Sequence, residues 1–364
     1  MKKQLSIITS AIVLSTSTVY ADSYSVEEAF KNGQVSGDIS AHYQKTDKKG
    51  EKDSGFSAAT IGLNYKTDSI NGFALEAGFR ANHELTEEEN GDYKGDFANN
   101  SLMTLANISY SNEMLTVIAG RQEIDLEWIG DYNEAIVAAL TPSENITVVA
   151  AYSTRQAAAG VDESTDFEDI TNDGAYVLDA KYEALEGLVI NPYFYSAKDA
   201  VDFYGLKADF DSDVFGLTAH YAKSSTDKIL KDEEGNHIED GSVKHFEART
   251  SLVGVDLALG YINTNKKGIG AMDSFGDNID PTEELGAYDY EDTYYGAIAY
   301  NIADIELSAL YAQGEKTSIK DKEITLGAGY SFTDNLSAEL LYTDLSLESK
   351  KDYSKLAATV SYAF

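Results

Sequence analysis

The strongest constraint on this chain is an alternation of apolar and polar residues, with period two, that recurs from Val35 to the end. Phe73, Leu75, Ala77, Phe79 and Ala81 interleave with Ala74, Glu76, Gly78, Arg80 and Asn82. The same rhythm returns in Ile61-Leu63-Tyr65, Ile146-Val148-Ala150-Tyr152, Tyr176-Leu178-Ala180-Tyr182 and Phe215-Leu217-Ala219-Tyr221. It continues through Val255-Leu257-Leu259-Tyr261, Ile305-Leu307-Ala309-Tyr311, Ile324-Leu326-Ala328-Tyr330, Leu336-Ala338-Leu340-Tyr342 and Leu356-Ala358-Val360-Tyr362-Phe364. Successive side chains on a strand point to opposite sides, so every segment carries one apolar and one polar face. Either a soluble sandwich buries the apolar faces or a closed barrel turns them to lipid.

Connections and aromatics separate these two. Short links (Thr67–Asn71, Asn112-Glu113, Pro142–Asn145, Leu185–Gly187, Asp211–Asp213, Asn301-Ile302, Ser331–Asn335) alternate with long acidic ones (His83–Asn99, Arg155–Gly174, Ser224–Val243, Asn263–Asp292). Segments entering short links end in Tyr65, Tyr110, Tyr182, Phe210, Tyr300, Tyr330 and Phe364; those entering long loops end in Tyr43, Tyr152, Tyr221, Tyr261, Tyr311 and Tyr342. All sit on the apolar face. Tyrosine settles where hydrocarbon meets water, so a membrane barrel acquires two aromatic girdles. The expected fold is therefore all-β: a closed antiparallel transmembrane barrel over 35–364, with about 18 strands (16 also fits), tight periplasmic turns and long external loops. The segments at Tyr132–Leu140 and Leu188–Ser196 fit least well, the first apolar on both faces and the second containing Pro192.

Composition agrees. The 62 acidic and 28 basic side chains give a net charge of −34, which excludes a nucleic-acid binder. With no cysteine there is no disulfide, thiolate metal site or thiol nucleophile. A hydrophobic share of 43% is too high for a disordered polyanion.

Residues 1–21 read as a secretory signal: Lys2 and Lys3, an apolar stretch from Leu5 to Leu14, and Val19-Tyr20-Ala21 before the cut. Its loss removes two lysines and no acid, taking the charge from −34 to −36. Residues 22–34 form a short periplasmic segment in which Ser25 and Glu28 suit a capping box for a brief helix to Lys31, ended by Asn32-Gly33. No run elsewhere is apolar and long enough for a spanning helix. An outer-membrane location in a Gram-negative cell follows.

Ser25-Val26-Glu27-Glu28-Ala29-Phe30-Lys31-Asn32-Gly33-Gln34-Val35-Ser36-Gly37, Gly120-Arg121-Gln122-Glu123 and the terminal Tyr362-Ala363-Phe364 resemble the Opr-type porins of campylobacteria, which are similar to the outer-membrane porin D family. The resemblance implies an 18-stranded barrel passing small solutes passively, with a third loop folded into the pore. It also implies that Phe364 is read by the barrel-insertion machinery. Only Arg80, Arg121, Arg155 and Arg249 are arginines, too few for a long basic ladder, and no proline follows Gly-Arg-Gln, so substrate specificity does not carry over.

Strand phase places Asp38, Glu76, Asp179, Asp209, Glu247, Asp256, Glu306 and Glu339 in the lumen, against Arg80, Lys181, Lys207 and Arg249. The acid surplus predicts a modest preference for cations, although neighbouring opposite charges such as Glu76/Arg80 and Glu247/Arg249 are spaced to pair. After the fifth strand, the candidate constriction loop (Arg121, Glu123, Asp125, Glu127, Trp128, Asp131) holds the only tryptophan among aliphatics and acids. It either folds inward or extends a strand with Trp128 in the outer girdle. Of the histidines, His42 and His220 alone fall on lumen phases, and neither lies in a nucleophile motif, so no enzyme is expected. The acid clusters Asp162–Asp173 and Asp273–Asp280 lack EF-hand spacing, so no metal or cofactor site is assigned. The expected partners are outer-membrane lipid, lipopolysaccharide, the assembly machinery, small hydrophilic solutes and cations, with a homotrimer by analogy with general porins. A surface adhesin or antigen barrel without conductance is the alternative.

Overall fold

A computed structural model describes residues 23–227, 230–231, 235–275 and 280–364; the signal segment and the cut after Ala21 lie outside the described residues. The strands are β1 (Gln34–Lys48), β2 (Ser54–Lys66), β3 (Phe73–Glu87), β4 (Ser101–Ser111), β5 (Leu115–Glu123), β6 (Tyr132–Ser143), β7 (Ile146–Ala157), β8 (Glu168–Asp169), β9 (Ala175–Leu185) and β10 (Leu188–Ala197). They continue as β11 (Val201–Asp211), β12 (Phe215–Thr226), β13 (Ser242–Leu252), β14 (Val255–Thr264), β15 (Asp292–Ile302), β16 (Ile305–Lys316), β17 (Ile319–Ser331), β18 (Leu336–Ser346) and β19 (Tyr353–Ala363). Among the described residues helix is confined to α1 (Val26–Lys31), α2 (Asp92–Asp96) and two single 3-10 turns. Among the described residues no helix is long and apolar enough to cross a membrane.

Each wall strand pairs antiparallel with its neighbours, and β1 pairs with β19 from Asp38 opposite Ala363 to Lys48 opposite Tyr353. The sheet thus closes as an 18-stranded barrel, because β8 is only a ribbon on the end of β7, with Arg155 opposite Asp169. The seam is locked at the terminus: Gly37 N–H donates to Phe364 O at 2.9 Å and Phe364 N–H to Gly37 O at 3.0 Å. Gly37 needs its missing side chain there, since a Cβ would lie 2.1 Å from Gly62 O.

Burial is inverted relative to a soluble protein. Phe73, Leu75 and Phe79 are exposed while Ala74 and Arg80 beside them are buried, and Leu326 is 49% exposed beside Thr325 at 5%. Tyr182, Tyr221, Tyr311, Tyr330 and Tyr342 are likewise exposed on the apolar face. Such an exterior is stable only in hydrocarbon.

The two least regular segments are both strands. β6 is apolar on both faces because Ala135, Val137 and Ala139 meet an infolded loop while Ile136 faces out. In β10 the register passes from Ile190 opposite Tyr182 to Tyr193 opposite Asp179, so Pro192, with no N–H to give, sits in an interruption. Asn191 spans that gap, its Nδ2 donating to Ala180 O at 2.8 Å. The expected alternation of short and long links needs correcting: the external connections at 198–200 and 317–318 are as tight as turns on the opposite side. At the periplasmic mouth Glu28 N–H donates to Ser25 Oγ, capping α1, which is held to the wall by Asp68 N–H donating to Ala29 O.

Placing a cation on the outer face tests this orientation. Leu326→Arg should cost about 2–4 kcal/mol in guanidinium unfolding from lipid vesicles, whereas Ser337→Arg, on the opposite face of β18, should cost far less.

Candidate functional site

The inner wall divides along its length. Interior residues near the periplasmic ends, among them Asn64, Glu76, Asp256, Glu306 and Glu339, keep partial or full exposure, while those nearer the external ends are largely buried. Glu306 and Glu339 flank Gly329 in register, one strand away on each side. Asp256, Glu306 and Glu339 form no ion pair in the described structure. The three carboxylates therefore face water without a counter-charge.

The basic residues are spoken for. Arg80 donates bidentately to Asp38, at 2.6 and 3.1 Å, and to Thr60. This corrects the expected Glu76/Arg80 pair: Glu76 instead accepts from Asn107 Nδ2 at 3.2 Å. Two strands' separation brings Asp38 and Arg80 together across Gly62, where a Cβ would lie 2.7 Å from Asp38 Oδ1. Arg249 reaches Glu247 at 3.4 Å, as its spacing suggests, but its shorter bonds run to Asp211, at 2.7 and 2.8 Å. From there a continuous polar chain crosses the wall. Arg249 donates to Thr218 Oγ1, Thr218 Oγ1 to Asp209, and Lys207 Nζ lies 3.8 Å from Asp209 and 3.2 Å from Glu127. Asp179 is buried, accepting from Asn191 Nδ2 at 2.8 Å and from Tyr195; Lys181 beside it is half-buried.

Segment 124–131 turns into the barrel. It is a narrow hairpin, with Ile124 N–H donating to Asp131 O and Leu126 N–H to Ile129 O, both at 2.9 Å. Ile124, Leu126, Trp128 and Ile129 are buried against the inner faces of β6, β7 and β9 to β12. Trp128 is wholly enclosed by Phe203, His220 and Tyr288 rings, all within about 6 Å. It is an interior anchor and not part of an outer girdle. Its Nε1–H donates to Tyr193 OH at 2.7 Å, leaving that hydroxyl's own proton for His220 Nε2 at 2.6 Å. The imidazole proton then sits on Nδ1, 3.7 Å from Glu127 Oε1. Glu127 and Lys207 side chains are 2% and 5% exposed, so this is a buried ion pair clasping the hairpin to the wall.

Arg121 and Glu123 belong to the end of β5 instead of the hairpin. Arg121 pairs with Glu134 at 2.8 Å, donates to Met103 O and lies 4.2 Å over the Phe167 ring; Arg155 shares Glu134 at 3.4 Å.

A second infolded segment, 280–291, was not legible in the sequence. Ala287, Tyr288 and Leu285 join the same apolar cluster. Its anchor is Glu323 of β17, fully buried, whose carboxylate accepts from the backbone N–H groups of Glu283 (3.0 Å), Glu284 (2.9 Å) and Leu285 (2.7 Å). Asp280 closes the segment on itself, accepting from Thr282 and from Ala287 N–H at 2.7 Å. Burial pushes the Asp280 carboxyl up from its ordinary range, against the opposing pull of the Thr282 bonds. Tyr290 OH donates to Asp321, and Lys355 and Tyr353 hold Glu284. The only advance signal was Glu323 on the polar phase of its strand. Among the described residues no group of acids and histidines is arranged to hold a metal.

A family model described as Gram-negative porin matches residues 9–350. Among solved structures the chain is similar to Acinetobacter baumannii OccAB1 (TM-score 0.75, 13% identity, covering 93% of this chain and 98% of that one). It is similar also to Pseudomonas aeruginosa OpdO (0.75, 13%, 93% and 98%) and OpdQ (0.74, 13%, 93% and 99%). At such identity these likenesses speak to the fold. No curated protein matches the sequence significantly.

Both anchors can be tested. Glu323→Ala orphans three N–H groups and should weaken docking of 280–291 by on the order of 3 kcal/mol, read as faster tryptic cleavage after Lys266 and Lys267. Lys207→Met leaves the Glu127 charge unpaired and should cost about 3–5 kcal/mol in thermal unfolding in detergent.

Proposed function

The chain belongs to the Gram-negative porin family, and from that premise we propose a water-filled outer-membrane channel for passive diffusion of ions and small hydrophilic solutes, with a modest preference for cations. The observation that carries the preference is the sorting of charge on the inner wall. Arg80, Lys207 and Arg249 each lie against carboxylates, whereas Asp256, Glu306 and Glu339 keep theirs free. Fixed charge without a partner concentrates counter-ions in a confined aqueous space, and paired charge does so far less.

The two infolded segments support a selective passage in place of a wide hole. Segment 124–131 and segment 280–291 meet at Trp128 and Tyr288 and fill much of the external half, while the periplasmic half stays open to water. On this reading a solute entering from outside passes the narrowed half first and the acidic vestibule second. Glu127 has its charge committed to Lys207, so it shapes the passage without adding to its field.

The purified full chain in a planar bilayer should give discrete ohmic steps, and a salt gradient should give a reversal potential on the cation side. Glu306→Gln with Glu339→Gln should move that potential toward zero without altering the fold. An absence of conductance steps would favour the sealed adhesin barrel, and a potential indifferent to both substitutions would overturn the assignment of these carboxylates.

A further inference from the structure

Lys223 and Lys244 stand out on the outside of the wall. On β12 the outward row runs Phe215, Leu217, Tyr221 and then Lys223; on β13 it runs Phe246 and then Lys244, and all six are exposed. Tyr221 lies opposite Lys244, and Lys223 opposite Ser242 on one side and Tyr204 on the other. The two lysines are therefore diagonal neighbours on one sheet face, with Cα atoms about 7–8 Å apart, near enough for both ammonium groups to reach a single tetrahedral anion. They sit one outward position beyond the external tyrosine girdle, where hydrocarbon gives way to headgroups.

Neither lysine has a hydrogen bond or ion pair in the described structure. Of the other outward lysines at this level, Lys45 meets Asp53 at 2.7 Å and Lys320 meets Glu315 at 2.7 Å, while Lys322, opposite Ser346 and Gln313, is exposed without a second cation across the strand pair. The outward acids on nearby strands, Asp202 on β11 and Asp292 on β15, form no ion pair with either lysine and are turned to other donors. Asp202 accepts from Ser196 Oγ at 2.6 Å, and Asp292 from Tyr261 OH at 2.5 Å and Asn263 Nδ2 at 2.9 Å. The external loops are mostly anionic; 158–174 holds six acids and no lysine or arginine. Two adjacent free cations on the lipid-facing side of such a rim are an exception in need of an anion supplied by the membrane itself.

We propose that Lys223 and Lys244 form a docking site for the phosphomonoester of an outer-leaflet lipid, with Tyr204 and Tyr221 packing against its sugar and upper acyl chains. Tyrosine suits that role, being apolar in body and polar at its tip. This rests on the reading of the chain as an outer-membrane barrel.

The test uses the full chain in dodecyl maltoside, titrated with diphosphoryl lipid A and with the same lipid enzymatically dephosphorylated, bound lipid being counted by native mass spectrometry. The expected result is retention of the phosphorylated form, weakened roughly 25-fold in K223Q/K244Q, with K322Q behaving as the parent. Equal binding of the dephosphorylated lipid, no loss in K223Q/K244Q, or displacement by millimolar inorganic phosphate would each overturn the site. Single-channel conductance is recorded on the same samples. Intact conductance without lipid retention sinks the docking site alone, and loss of both in the parent protein sinks the barrel reading beneath it.

Discussion

Everything in this molecule depends on the demand that no backbone N–H or C=O be left unpaired in hydrocarbon. A sheet meets it only by closing, and the pairing of β1 with β19 is the closing step. Phe364 takes part directly through its reciprocal bonds with Gly37, extending the seam beyond the last residue of β19. Once the cylinder is shut, its outer face is committed to lipid and its inner face to whatever the chain can put there. That partition explains why an exterior of exposed Leu, Ile and Phe accompanies an interior of buried Thr, Asn, Arg and Glu.

The interior then inherits a second problem, because a wide polar cylinder has no core of its own. The chain supplies one by turning two external segments inward. Their apolar residues gather around Trp128 and Tyr288, and carboxylates serve as the fastenings. The two fastenings differ in kind. Glu127 travels with its segment and finds Lys207 on the wall, whereas Glu323 stays on the wall and receives three backbone N–H groups from its segment. A carboxylate holding N–H groups needs no basic partner, which suits a chain with so few arginines.

Period two and the tyrosine caps make the barrel, the facing of its strands and its approximate strand number legible in the sequence alone. Those features are local, one strand at a time, and lipid enforces them strictly. The irregular places escaped for equally physical reasons. β6 looked ambiguous because its inner face is apolar, and that makes sense only once the 124–131 hairpin covers it. Spacing along its own strand suits Arg80 to Glu76, but a long guanidinium reaches across Gly62 to Asp38 just as easily. Segment 280–291 is acidic and glycine-containing, indistinguishable in composition from a solvated loop; what pulls it inward is a set of backbone N–H groups, which every sequence possesses and none advertises.

Charge ties the levels together. A strongly acidic chain could repel itself apart, yet the carboxylates occupy three distinct settings. Some are buried as fastenings, where desolvation is offset by bonded N–H groups or a lysine. Some are solvated in external loops, where the Debye length of about 8 Å at physiological salt screens them. A few, Asp256, Glu306 and Glu339, are neither fastened nor dispersed but held on a rigid wall facing confined water. In the proposed channel it is this last setting that lets a fixed charge act on passing solutes, since a buried carboxylate has spent its field on its partner and a loop carboxylate has lost it to bulk ions. Under the proposed cation preference, net charge alone therefore says little, and the placement of these three side chains is what the proposal rests on.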